Sequence, residues 1–258
     1  MVILPKYYND GNDFISQNRE KNGVFNFYWG DDEKSFLKNL KVRKDNWHYS
    51  DKKVEYTLNS YGYRTKEFNE INWKESIVIF GCSIIFGEGV SDDETLSYFL
   101  EKFSGRNVIN MGVSGCSNQF ILDTILVLIK KYGYPYSVIV AWTGIARTPF
   151  YNFNGVNHLG HWIDESDKNM VELYRIMYTE DTHAVITSKN IIENVRLLLK
   201  NNTKYIDCSF IKDNSYYTNL LLFDIIDKAR DLGHPGHKTF EKSANRLFLL
   251  LNNQKNII

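Results

Sequence analysis

The chain is poor in the residues that staple or punctuate small folds: its 258 residues include three cysteines and four prolines. Cys82, Cys116 and Cys208 lie far apart with no Cys-x-x-Cys pair, which excludes a disulfide framework and a zinc knuckle. Thiols this isolated fit a reducing compartment, as small buried hydrophobes. Neither sign of charge is in excess, because 31 Lys and Arg balance 31 Asp and Glu. That removes the electrostatic argument for nucleic acid or an anionic membrane surface. No stretch approaches the ~18 consecutive apolar residues of a membrane span. The N-terminal MVILPKYYNDGNDF has too short an apolar run for a secretory leader. A cytoplasmic protein without membrane or nucleic-acid partners is expected. What the chain does have is apolar mass: 43% hydrophobic residues, with 17 Tyr, 16 Phe and 5 Trp. It can bury a sizeable core.

Two textures divide the chain. Residues 1–74 are polar and aromatic, with charges dense from Asp31 to Lys53 and a turn at Asn59-Ser60-Tyr61-Gly62. They hold too few aliphatic residues for a core of their own and read as an extension packed on a main domain of residues 75–258. From Ser76 the pattern is regular. Short β-branched runs (76–80, 107–110, 137–142, 204–210) read as strands buried on both faces. Helical stretches follow at 119–131, 191–200, 217–230 and from Thr239. Another opens after Ser91, where Glu94 three residues on completes a capping box. The segment 143–185 reads as irregular. Alternating strands and helices predict an α/β fold with a mostly parallel sheet. Functional groups in such folds gather at the carboxyl ends of the strands, which is where the Gly- and Ser-rich segments fall.

The first of these segments, Gly81 to Gly89, is not a nucleotide loop. A phosphate loop needs four residues between its glycines and then Lys-Ser/Thr. Here five intervene and Glu88 follows, a carboxylate that would repel phosphate. The dinucleotide pattern fails as well, since Asp92 stands where a third glycine belongs. What remains is Ser83 on a sharp turn after a buried strand. A turn-capping serine would fit that position, and so would a nucleophile exposed beside backbone N–H donors.

A matching base lies far down the chain. In Asp231-Leu232-Gly233-His234-Pro235 the three-residue spacing lets a carboxylate accept from imidazole Nδ1, which leaves Nε2 to take a serine proton. His237 lacks a carboxylate at that spacing, since the residue three before it is His234, and ranks second as a base. His158 and His161 are spaced like two metal ligands, but no third ligand is apparent, so no metal is expected. No organic cofactor is expected either.

With both pieces present, the chain resembles the SGNH (GDSL-type) hydrolase superfamily over residues 75–252. IVIFGCSIIFGEGV (77–90) is similar to the first block, NVINMGVSGCSN (107–118) to the second, VIVAWTGIAR (138–147) to the third and DLGHP (231–235) to the last. The resemblance implies a three-layer α/β/α fold of flavodoxin-like type and ester hydrolysis through an acyl-enzyme. It makes Ser83 the nucleophile, His234 the base and Asp231 its orienting carboxylate. The backbone N–H groups of Ser83 and Gly115 would form the oxyanion site.

Two departures from the pattern stand out. Cys82 replaces the first block's usual Asp, so a loop hydrogen bond is expected to be lost. Ile145 or Ala146, depending on register, replaces the third block's Asn, which removes an oxyanion donor. Such a donor is worth about 2.7–4 kcal/mol where it has been measured. Candidate substitutes or substrate contacts are the Thr143 hydroxyl, the Gly144 N–H, the Asn118 side chain and Arg147. Helix or turn capping is the competing role for Thr143 and Asn118, and a solvated salt bridge for Arg147. A small-molecule or glycan ester substrate is expected, with Trp142, Phe150, Tyr151, Phe153 and Trp162 as candidate sugar-stacking aromatics. Acyl transfer to another acceptor uses the same residues, and a binding module without turnover is the rival reading.

Overall fold

The structure, a computed structural model, describes residues 22–43, 47–152, 155–164, 166–177, 181–212 and 220–253. In chain order the elements are β1 (Gly23–Phe25), α1 (Glu33–Val42), β2 (Tyr56–Leu58), β3 (Ile77–Gly81), α2 (Ser83–Phe86), α3 (Leu96–Ser104), β4 (Val108–Gly112) and α4 (Asn118–Tyr132). There follow β5 (Ser137–Ala141), β6 (Thr148–Asn152), β7 (Gly155–Leu159), α5 (Lys168–Met177), α6 (Asp181–Leu199), β8 (Lys204–Ser209), β9 (Leu221–Leu222) and α7 (His237–Asn253).

Five strands form one sheet in the order β4-β3-β5-β8-β9, every neighbouring pair parallel. The strand alternation explains the layers, since successive side chains leave opposite faces. Val78, Phe80, Val138 and Val140 pack against Phe120, Ile121 and Ile125 of α4 and Ile192 and Val195 of α6. Ile77, Ile79 and Ile139 pack the other way, against Leu96 and Leu100 of α3 and Phe240, Ala244 and Leu247 of α7. The result is the three-layer α/β/α sandwich with a parallel sheet. Counting sheet strands alone, the order is 2-1-3-4-5, the flavodoxin-like winding whose direction reverses at β3. Ligand crevices in such sheets open at that reversal, outside the carboxyl ends. Ser83 sits there.

Residues 22–74 contribute to both cores. Tyr28, Tyr49, Tyr56 and Leu58 join the α3/α7 side, while Tyr63, Phe68 and Trp73 join the α4/α6 side. Within this stretch β1 and β2 pair antiparallel. Helix α1, which no long periodicity announced, opens at Asp32, whose carboxylate caps the Ser35 N–H at 2.8 Å. Arg64, after the Gly62 turn, donates to the carbonyls of Gly87 (2.6 Å), Phe86 (3.2 Å) and Val90 (2.8 Å). Its guanidinium thereby organises the loop that follows Ser83.

Two expectations change. The helix expected over 217–230 does not form in its described part, residues 220–230. Leu221–Leu222 instead extends the sheet beside β8, and the chain then turns back on itself. The physical reason is tertiary: the Asp227 carboxylate accepts from the N–H groups of Lys238 and Thr239 and from the Thr239 hydroxyl, anchoring this stretch to the start of α7. Residues 213–219 lie outside the described residues. The segment 143–185 is more ordered than expected, holding the β6–β7 antiparallel hairpin and α5. Among the described residues, no helix is long and apolar enough to cross a membrane.

Candidate active site

Strand β3 ends at Gly81, and the chain turns at once into the single helical turn of α2. Gly81 leaves no room for a side chain, since a Cβ there would lie 2.3 Å from Ile85. Gly87 closes α2 in the left-handed region (φ 82°). Ser83 is thus the first residue of α2, 7% exposed at the sheet's carboxyl end.

The Asp231–His234 turn arrives from the far end of the chain. A bridge between Lys228 and Pro235 closes its neck, and the Ala229 N–H donates to the His234 carbonyl at 3.0 Å. Leu232 takes a positive φ of 59° at the apex. One Asp231 oxygen accepts from the backbone N–H groups of Gly233 and His234, both at 3.0 Å. The other bonds His234 Nδ1. His234 Nε2 lies 2.8 Å from Ser83 Oγ, across 151 positions of sequence. Hydroxyl, imidazole and carboxylate therefore form one continuous chain.

Electrostatics follow from burial and neighbours. Burial alone would depress His234, but the Asp231 hydrogen bond and charge, with help from Glu88, raise its pKa above the usual imidazole value. Burial alone would raise Asp231, and the hydrogen bonds from His234 and Gly233 hold it below the usual carboxylate range. Glu88, which the sequence marked only as hostile to phosphate, is a second buried carboxylate near this imidazole. It accepts from the Ser114 hydroxyl (2.9 Å) and the Gly30 N–H (2.8 Å), and burial raises its pKa. The Glu88–Ser114 bond links the Ser83 loop to the loop carrying Gly115.

Gly115 has φ 76°, and a Cβ there would lie 3.3 Å from the Trp162 ring, so this ring lies beside the glycine. Arg147 stacks on the same ring, 4.9 Å from its centroid, and Gly144 lies beside its guanidinium. Asn118 and Thr143 are placed differently from the expectation. The Asn118 amide is bonded both ways to the Thr143 backbone, accepting from its N–H at 2.9 Å and donating to its carbonyl at 3.2 Å. It is a clamp between the second and third blocks. The Thr143 side chain is fully buried, beside the Cys82 thiol.

The Cys82 thiol is buried, with the Arg147 charge, Thr143 and the Ile84 N–H near it. Burial alone would push it up, but these groups together hold its pKa below the usual thiol value. Ile145 packs on the α4/α6 core and the Ala146 carbonyl accepts from the Tyr174 hydroxyl, so neither donates a side-chain hydrogen bond.

The remaining candidates separate. Trp142 is core, Phe150 and Tyr151 are half-buried, Trp162 is exposed, and Phe153 lies outside the described residues. His158 is buried edge-on to Phe120 with both ring nitrogens unpartnered, and burial first, then Arg147, depresses its pKa to about 3. His161 is exposed beside Trp162. His237 stacks on His48 at 4.0 Å, away from Ser83's hydrogen-bond chain. His48, Glu94 and His237 bring their ligand-type atoms within 4.8 Å of one another. However, one Glu94 oxygen is already held by His48 at 2.5 Å and by Lys52 at 3.1 Å. Two ligands of one zinc at ~2.0 Å would stand ~3.3 Å apart, so the cluster reads as a hydrogen-bonded ion pair.

No family model matches the chain, and no curated protein matches it. Among solved structures it is similar to a protein of Desulfitobacterium hafniense described as lipolytic, of the G-D-S-L family. Identity there is 14%, the alignment covers 69% of this chain and 99% of that one, and the TM-score is 0.35. It is also similar to a Bacteroides ovatus protein described as a GDSL-like lipase, at 19% identity, covering 71% of this chain and 55% of that one, with a TM-score of 0.33. The strand order of the sheet is flavodoxin-like, and Ser83 sits at its carboxyl end.

Proposed function

We propose that the protein is a serine ester hydrolase working through an acyl-enzyme. One observation carries the reading: the Ser83 hydroxyl and the His234 imidazole meet at 2.8 Å, with Asp231 on the imidazole's other nitrogen. In the first step Ser83 Oγ attacks the ester carbonyl while His234 Nε2 takes the hydroxyl proton. The negative charge moves to the carbonyl oxygen, beside the backbone N–H groups of Ser83 and Gly115. Collapse expels the alcohol, which collects its proton from His234, and Ser83 is left acylated. A water activated by the same imidazole then releases the acid. Asp231 stays ionised throughout and fixes the Nδ1–H tautomer, so that Nε2 faces the serine.

The Glu88–Ser114 hydrogen bond supports the same reading, because it ties the Gly115 loop to the Ser83 loop. Preorganised donors contribute more than mobile ones. An O-acetylated carbohydrate is the proposed substrate, with the exposed Trp162 ring beside Gly115 as the surface on which a sugar would stack.

A fluorophosphonate probe tests the nucleophile directly. Labelling of the wild type that disappears in Ser83→Ala and in His234→Ala supports the hydrolase. A folded wild type that takes no label sinks it in favour of a binding module. If unlabelled enzyme that has been acylated by an ester releases its acyl group only when a hydroxyl acceptor is added, the reaction is acyl transfer, and hydrolysis is the part that fails.

A further inference from the structure

The Arg147 guanidinium is half-buried, yet among the described residues no carboxylate lies within ion-pair distance of it. Among those residues, the guanidinium donates to the Cys116 carbonyl at 3.5 Å. A guanidinium withdrawn from water without a counter-charge is unfavourable, and chains ordinarily pair such groups. Stacking on Trp162 fixes its plane and so aims its fork of donors.

Arg147 also lines a cavity of about 180 Å³ between α4, α6 and the β6–β7 hairpin. That volume accepts a polar fragment of several heavy atoms. The wall carries Arg147, His183, Asn118, Thr187 and Ser188, and no aspartate or glutamate among the described residues. Donors and hydroxyls with no acid describe a receptor for an anion. Cys116, whose carbonyl Arg147 approaches, follows Gly115 directly, so Arg147 joins the wall of this cavity to the loop that carries Gly115.

We propose that this cavity binds an anionic oxyacid group, a carboxylate or a phosphate, borne by the substrate near its ester, and that Arg147 is the clamp. The inference rests on the ester-hydrolase reading and narrows its substrate to acidic esters, of which an acetylated acidic sugar is one form. A planar fork meets an oxyacid through two parallel hydrogen bonds, which a lysine at the same place does not reproduce.

The test uses unreactive amides, so that binding is read apart from turnover. Calorimetry measures 4-acetamidobenzoate, 4-acetamidophenyl phosphate and uncharged acetanilide against wild type, Ser83→Ala, Arg147→Gln and Arg147→Lys. At least one anion is expected to bind wild type and Ser83→Ala at least about tenfold more tightly than acetanilide does, with that preference lost in Arg147→Gln and reduced in Arg147→Lys. Which anion binds assigns carboxylate or phosphate. Equal affinity of wild type for anions and acetanilide, or an undiminished preference in both arginine variants, overturns the proposal. A parallel assay compares 4-acetoxybenzoate with phenyl acetate. Anion preference without cleavage of either ester keeps the cavity and removes the hydrolase, whereas cleavage of both without preference does the reverse.

Discussion

Arg230, next in sequence to the Asp231 that orients His234, is locked by Asp31 in a buried ion pair: Nη2 to Oδ2 at 2.6 Å and Nε to Oδ1 at 2.9 Å. Both residues are at most 3% exposed. The same guanidinium donates to the Asn26 carbonyl and stacks on Phe27, while the Arg230 carbonyl accepts from Asn39. Asp31 also accepts from the Tyr56 hydroxyl, which in turn accepts from the Gly89 N–H at 2.8 Å. The N-terminal segment therefore braces the Asp231–His234 turn and the Ser83 loop at once.

Breaking that pair strands a buried charge. Asp31→Ala is expected to lower stability by about 3–5 kcal/mol, measured by urea unfolding. Replacing both partners with apolar residues, Asp31→Leu with Arg230→Met, recovers much of the loss. If the pair also positions Asp231, the double variant keeps a reduced kcat with KM little changed. Full recovery of kcat refutes positioning.

The raised pKa of His234 sets the pH profile. A general base works unprotonated, so kcat/KM rises with pH through a value above the ordinary 6.5. Asp231→Asn removes the carboxylate that raises it most and leaves burial opposed by Glu88 and Cys82, so the rising limb moves to lower pH while the rate falls about 10²–10⁴-fold. A limb that stays in place contradicts the assigned pair.

Stability runs with the opposite sign. His234's folded pKa lies above its unfolded value, so its contribution is complete below about pH 6.5 and is lost as pH rises through the folded value. The depressed Asp231 contributes fully above its ordinary 3.8, and that contribution is lost as pH falls through its folded value. Denaturant midpoints across pH, wild type against His234→Ala, should differ most in the window between these limits. A difference that grows as pH rises above about 6.5 would reverse the assignment of His234.

Gly89 shows how closely the two loops approach. Its φ is 83°, and a Cβ would stand 2.6 Å from that of Ala229 and 3.0 Å from Asp231 Oδ1. Gly89→Ala is expected to lose about 1–3 kcal/mol from backbone strain and to lower kcat by displacing the carboxylate. Wild-type kcat at reduced Tm would confine the effect to folding.

The two histidines of the last block divide cleanly. His234→Ala is expected to lose esterase activity at least about 10³-fold. His237→Ala, whose ring stacks on His48, keeps most of it. Comparable losses in both variants would put the base in doubt.

Local chemistry in the sequence determined the layers and the two halves of the site. Runs such as Ile77 to Phe80 have no polar residue to turn outward, so they had to become strands covered on both faces. Asp231 and His234 are close enough in sequence for one tight turn to pair them, so that half was legible without coordinates. The pairing of Ser83 with His234 was legible only through block order, because nothing at either position encodes the other. Tertiary structure alone decided the rest. The Asp31–Arg230 pair spans 199 positions, and charge pairs at that separation leave no periodic trace. Asn118 looks like a cap in sequence, and only the approach of β5's end to α4 turns its amide onto Thr143. The helical pattern over residues 220–230 gave way because Asp227 found better partners at the start of α7. Local patterning acts over a few residues and fixes what each segment can become; which distant groups meet is set by packing the finished layers together.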